Sequence, residues 1–190
     1  MFEFLDPSAI ENFFLSYAYS PIHVYVGVVV FMCLSSLGFP LPEEVILVSA
    51  GFIAFMAMHP NDYPPPYPDA VGVNYITLAI VCYVSVVASD FIIYCIGKYF
   101  GARVLKSAFF SKMLSDKVIQ KIDKWYDKYG ALVCGLFRFT PGIRFPGHMS
   151  CGMMGVKWWK FLAVDGTAAL ISVPTQVILV ALNGKVILEK

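Results

Sequence analysis

Two arginines, six residues apart, stand in an otherwise apolar stretch whose backbone is broken by proline and glycine: Phe137-Arg138-Phe139-Thr140-Pro141-Gly142-Ile143-Arg144-Phe145-Pro146-Gly147-His148. An uninterrupted membrane helix does not carry such a sequence. Non-helical backbone at membrane depth is tolerated only where protein or a water-filled cavity surrounds it. An arginine at the bilayer centre costs roughly 2.5–3.5 kcal/mol on insertion scales. Two of them therefore call for a polar partner, a hydrated cavity or an anionic ligand. The bland alternative is a cytoplasmic loop with solvated arginines. It sits poorly with the apolar runs that flank the stretch on both sides.

That the surroundings are membrane follows from composition. Of the 190 residues 58% are hydrophobic, and the mean hydropathy is +0.70, above the roughly 45–50% apolar content of ordinary globular domains. The chain reads as a single membrane domain, 1–190. Residues 1–97 hold eight acids and no Lys or Arg, and all 14 basic residues follow from Lys98 onward. The basic residues lie beside apolar segments, so no nucleic-acid partner is expected. Cys33, Cys82, Cys95, Cys134 and Cys151 form no CxxC pair and no metal spacing, and read as small packing residues. No cofactor or metal is expected. The first twenty residues lack a basic n-region and a clean apolar h-region, so no signal peptide is expected.

Residues 8–19 read as an amphipathic surface helix. Ser8 and Glu11 form a capping box, and Ile10, Phe13, Phe14 and Tyr17 make the apolar stripe. Ile22 to Gly38 is apolar and runs directly into Phe39-Pro40-Leu41-Pro42-Glu43-Glu44, followed at once by the apolar run Val45 to Met58. Two runs joined by a proline break and two carboxylates predict a re-entrant hairpin over 22–58, with Pro40–Glu44 at its deep tip. The alternative is one span ending at Pro40. Residues 59–74 are a proline-rich loop. Tyr75 to Gly97 predicts a membrane span of roughly 34 Å that contains Asp90, and an ionisable residue inside a span is a candidate functional residue. The alternative has Asp90 reaching the interface near Lys98. A second surface helix is predicted over 115–129, with Val118, Ile122, Trp125 and Tyr129 on one face, Ser115 at its start and Gly130 at its end. A second broken hairpin occupies 131–156. Lys157-Trp158-Trp159-Lys160 is an interfacial anchor. The span 161–182 follows, with Asp165 near its start and Pro174 within it.

The two parts follow one plan: amphipathic helix, broken hairpin, full span (8–97 and 110–183). Pro40 precedes Ala50-Gly51, and Pro141 precedes Cys151-Gly152, by 10 and 11 residues in each case. One span per repeat inverts the second. The expected fold is thus an all-α membrane protein built as an inverted repeat of amphipathic helix, re-entrant broken hairpin and transmembrane helix. Such repeats with discontinuous segments recur in transporters. The connector 98–128 carries eight basic residues against three acids and should be cytoplasmic, which puts 59–74 outside.

At the two tips the sequence resembles the DedA family, also called the VTT or SNARE-associated Golgi domain, over roughly residues 22–183. Leu34-Ser35-Ser36-Leu37-Gly38-Phe39-Pro40-Leu41-Pro42-Glu43-Glu44 with Ala50-Gly51 is similar to the family pattern L-E-x-x-G-x-P-x-P-G-E…A-G. Phe137 to Arg144 with Gly152 is similar to G-R-F-x-P-G-x-R…A-G, and Asp165-Gly166-Thr167-Ala168 to D-x-x-G-A. Ser35 stands where the family has an upstream Glu, Glu43 where it has Gly, and the family often continues into another membrane segment. The resemblance implies movement of undecaprenyl phosphate or phospholipids between leaflets, with proton coupling proposed for bacterial members, and a bacterial cytoplasmic (inner) membrane location. It does not imply SNARE binding.

The expected function is therefore a flippase or scramblase for a phosphate-bearing lipid. Arg138, Arg144, Glu43, Glu44 and His148 are the substrate-binding candidates, since guanidinium forks suit phosphate oxygens. Glu43, Glu44 and Asp90 are the proton-coupling candidates. Pro40, Pro42, Gly51, Pro141, Gly142 and Gly152 shape the tips. The expected partners are membrane lipids, with a second copy of the chain as a further candidate. A transporter of a small anion or solute and a structural assembly factor are the competing readings. No enzyme is expected: there is no nucleophile–base pair, and His23, His59 and His148 lie in no HExxH motif.

Overall fold

A computed structural model describes residues 7–36, 42–104, 116–140 and 144–188. Among these the chain is all-helical: α1 (Pro7–Ala18), α2 (Pro21–Ser36), α3 (Glu43–Met58), α4 (Tyr75–Val104), α5 (Asp116–Tyr129), a 3-10 turn (Gly130–Leu132), α6 (Val133–Arg138), α7 (Arg144–Met153) and α8 (Trp158–Leu188). Two helices are long and apolar enough to cross a membrane, over Tyr75–Gly101 (27 residues) and Trp158–Lys185 (28 residues). At 1.5 Å per residue each is about 40 Å long, more than the hydrocarbon core requires. Both exceed the spans read from the sequence. The break after 182 is nevertheless real: Asn183 leaves helical geometry at φ −119° and ψ 18°.

The helices form two compact units that cut across the order of the chain. The first comprises Met1–Ser35, Pro40–Ser85 and Ser172–Lys190, and the second Ser36–Phe39 and Val86–Ile171. Each long helix thus gives one end to each unit.

In the first unit α1 packs on α3, where Ala18, Tyr19, Phe55 and Met56 are buried together. The apolar face of α1 is split. Phe14 and Leu15 pack toward this cluster, while Phe13 and Tyr17 point outward, 5.1 Å apart between ring centroids. The side chains of Ser8, Ile10 and Glu11 lie outside the described residues. The chain turns by 110° between α1 and α2. The outward face of α2 carries Ile22, Val26, Val29, Val30 and Phe31, a surface suited to lipid rather than water. The loop 59–74 is tied back by Val73 N donating to Ala18 O and Tyr19 Oη donating to Tyr63 O. Asn74 then opens α4, its Oδ1 accepting from Ile76 N and Thr77 N at 3.0 and 3.1 Å, the N-cap role its short amide suits. Gly51 is not at a tip. It lies within α3, where an added Cβ would fall 2.6 Å from Val180 Cβ of α8.

The second unit is built on Tyr94, Ile122, Val133, Cys134, Phe137, Cys151, Val156 and Phe161. Helix α5 does more than lie on a surface. Ile122 is fully buried, and Trp125 stacks on Phe137 at 6.0 Å, while Tyr129 is exposed. It ends as expected, with Gly130 following at φ 56°. The side chain of Val118, like Ser115 itself, lies outside the described residues. The second broken segment folds as two packed arms, α6 and α7. Gly152, like Gly51, is an internal packing residue. A Cβ there would strike the Tyr94 carbonyl of α4, so the two backbones approach as closely as glycine allows. Tyr94 Oη donates to Val156 O at 2.5 Å and closes this corner.

Candidate functional site

The second unit gathers five ionisable side chains from four helices. Arg138 is the last residue of α6. Phe139 N and Thr140 N donate to Leu136 O and Phe137 O to finish the turn, and Pro141 cannot extend it, having no N–H. The chain re-enters helix at Arg144, the first residue of α7. His148 follows four residues later, so both side chains share one face. Asp90 of α4 and Asp165 of α8 come from the two long helices.

Asp90 sits between the arginines. Arg138 Nη2 donates to Asp90 Oδ2, and Arg144 Nη2 lies 2.8 Å from both Asp90 oxygens. Arg138 also donates to Asp165, Nε and Nη2 each 3.2 Å from Oδ1. His148 reaches the same two acids. Its Nδ1 is 3.2 Å from Asp90 Oδ1 and its Nε2 is 3.4 Å from Asp165 Oδ1, with Cys134 O 3.2 Å from Nε2. The imidazole stands edge-on to the Phe161 ring at 5.3 Å. Asp90, Asp165 and His148 are almost wholly enclosed, and Arg138 is 4% exposed, whereas Arg144 keeps 20% of its side chain accessible. Arg144 is therefore the most accessible member of the cluster.

With His148 neutral, two arginines balance two aspartates. Burying charges is tolerable only when they are paired and hydrogen-bonded, which explains why a membrane chain can hold them. Asp90, His148 and Asp165 bring one ligand atom each within 4.8 Å of one another, close enough for a cation. Arg138 donates into both carboxylates and Arg144 into Asp90, so guanidinium already stands where a cation would.

The structure thus brings Arg138, Arg144, His148 and Asp90 together, with Asp90 buried among protein side chains. It adds Asp165, which the sequence reading left out of the site. The signal was there: an acid four residues past the start of the span 161–182, in a resemblance to D-x-x-G-A. Glu43 and Glu44 lie in the first turn of α3 in the other unit, Glu43 half-buried and Glu44 exposed. Their charge there suits the positive end of the helix dipole. Pro42 is the N-cap of α3, in extended geometry. Pro40, Pro141 and Gly142 lie outside the described residues.

This fold and cluster define an all-helical integral membrane protein with paired charges enclosed by its helices. The chain belongs to the VTT domain (DedA) family, whose sequence profile matches residues 41–182. It is similar to an uncharacterised membrane protein of Haemophilus influenzae, 29% identical over 85% of this chain and 71% of that one. It is also similar to an inner membrane protein of Borreliella burgdorferi (27%, covering 82% and 66%) and to the uncharacterised membrane protein YbfM of Bacillus subtilis (25%, covering 70% and 71%). No solved structure matches it.

Proposed function

We propose that this protein moves a phosphate-bearing lipid, such as undecaprenyl phosphate or a phospholipid, between membrane leaflets. The observation that carries the reading is Arg144, partly accessible and held on Asp90 beside the enclosed Arg138. A lipid phosphate offers the same oxygens as a carboxylate, and guanidinium binds both in the same planar geometry. Substrate would exchange with Asp90 on Arg144. The acyl chains would stay in lipid while the headgroup crosses through the protein, since charge is not admitted to hydrocarbon unaided. Glu43 and Glu44 would serve as proton carriers. The test is headgroup movement by purified protein in liposomes, comparing undecaprenyl phosphate, phosphatidylethanolamine and phosphatidylglycerol. The expected result is movement well above that of empty liposomes for at least one of them. Rates equal to empty liposomes for all three would contradict the reading.

We propose further that the membrane is the bacterial cytoplasmic one, with 98–128 inside and 59–74 outside, as the basic bias directs. In a Cys-free background, Asp69→Cys should react with an impermeant thiol reagent added to intact cells. Labelling only after lysis would reverse the orientation.

The assembly-factor reading draws on one specific observation, the complete mutual pairing of Arg138, Asp90 and Asp165. The variant Arg144→Ala with Asp90→Asn separates it from transport.

A further inference from the structure

Among the described residues, the polar edges of His148 face acceptors alone. Nδ1 faces Asp90 Oδ1 at 3.2 Å, and Nε2 faces Cys134 O at 3.2 Å and Asp165 Oδ1 at 3.4 Å. A neutral imidazole has one N–H and one lone pair. With the proton on Nε2, the Nδ1 lone pair points toward a carboxylate. With the proton on Nδ1, the Nε2 lone pair points toward a carbonyl and a carboxylate. The Nε2–H tautomer donates to Cys134 O and leaves the buried Nδ1 without a hydrogen bond, 3.2 Å from the Asp90 carboxylate. An imidazolium places a second N–H at that edge. The Nδ1 contact lies off the hydrogen-bond axis, so its gain is chiefly the attraction of imidazolium for Asp90.

The charged and titratable groups around the ring are Asp90 of α4, Asp165 of α8, Arg138 of α6 and Arg144 of its own helix. The Cys134 and Cys151 thiols and the Tyr94 hydroxyl share the same core. The two carboxylates are already engaged by guanidinium. Asp90 already accepts from two arginines and Asp165 from one, and a carboxyl proton would have to displace those donors.

Charge bookkeeping then links His148 to substrate. Two arginines and two aspartates sum to zero, so a phosphodiester monoanion entering on Arg144 leaves one uncompensated negative charge in an enclosed site. One proton from water, taken up by the free imidazole nitrogen, cancels it. The imidazolium also holds Asp90 and Asp165 while the guanidinium turns to the phosphate. When the headgroup leaves, the proton returns to water. We infer that His148 is a positioning residue that takes up one proton for each phosphate headgroup bound, replacing the arginines as partner of Asp90 and Asp165. This rests on the lipid-phosphate reading above and names the proton site within it. Proton and phosphate then favour each other's binding reciprocally, as linkage requires.

The test uses the full chain in nanodiscs with phosphatidylglycerol, whose phosphodiester keeps one charge across the range examined. The deacylated headgroup glycerophosphoglycerol is the free counterpart. Histidine changes charge in the range covered by about pH 5.5 and about pH 8. Phosphatidylglycerol should bind about 5–150-fold more tightly at the lower pH, the usual range of such couplings. His148→Gln keeps a hydrogen-bonding amide but cannot carry the charge, and should bind weakly at both. Independently of that variant's folding, nitrogen NMR of labelled histidine in a His23→Gln, His59→Gln background should show imidazolium when the lipid is bound. Equal binding of the free headgroup, with the same pH dependence, supports the proton linkage and shifts the cargo from lipid to solute. Binding that is independent of pH, or a His148 ring that stays neutral with lipid bound, overturns this inference and leaves the lipid reading standing. No binding of either probe at any pH overturns both.

Discussion

Replacing Arg138 with alanine is expected to destabilise the protein by about 3–5 kcal/mol, the cost of leaving a buried ionic partner unpaired. Arg138 donates to Asp90 and, through two nitrogens, to Asp165, with its side chain only 4% exposed. Without it both carboxylates stay enclosed, Asp90 with Arg144 and Asp165 beside His148. Water cannot replace the lost guanidinium where the site is closed. Arg138→Lys keeps the charge but loses the planar fork that reaches two acids at once, so a smaller loss is expected. Arg138→Ala with Asp165→Asn removes one charge of each sign and should recover most of the stability. The check is thermal unfolding of the three variants in one detergent. An Arg138→Ala variant that melts with the wild type would show that the guanidinium is not holding these helices.

Much of this arrangement is legible in the sequence, and the limits have physical causes. The breaks are legible because proline lacks an N–H and cannot continue a helix. Helices indeed start at Glu43 and Arg144. The pairing of the arginines is not legible. Periodicity says that Arg144 and His148 share a face but not which helix that face meets. Glu43 and Glu44 were the nearest acids in the motif pattern. Asp90 and Asp165 were available as partners only through tertiary packing, 48 and 27 residues from Arg138. Gly51 and Gly152 were read as tip residues from their matched spacing. That spacing reflects a different constraint, since each lies in a helix where a neighbouring helix leaves no room for a Cβ. The split of the α1 stripe has a similar origin. Helical spacing finds apolar residues on one side, but only the neighbour α3 decides that Phe14 packs inward and Phe13 faces out.

The second large effect concerns Arg144, the accessible member of the cluster. Arg144→Lys preserves charge near Asp90 yet lacks the fork that matches phosphate oxygens. It should remain folded and lose at least about tenfold in lipid movement, equivalent to about 1.4 kcal/mol of lost binding in the rate-determining state. Removing Arg144 alone leaves Asp90 with one guanidinium fewer. Removing Arg144 together with the Asp90 charge deletes one positive and one negative group and leaves Arg138 paired with Asp165. Replacing both members of a buried pair is often nearly neutral for stability. The variant Arg144→Ala, Asp90→Asn therefore separates a site that moves lipid from an ion pair that only ties helices together. The decisive measurement is headgroup movement in liposomes by this double variant, with its thermal stability measured in parallel. The account predicts a protein that melts close to the wild type and moves phosphate-bearing lipid no faster than empty liposomes. A double variant that is stable and moves the lipid at the wild-type rate would contradict it.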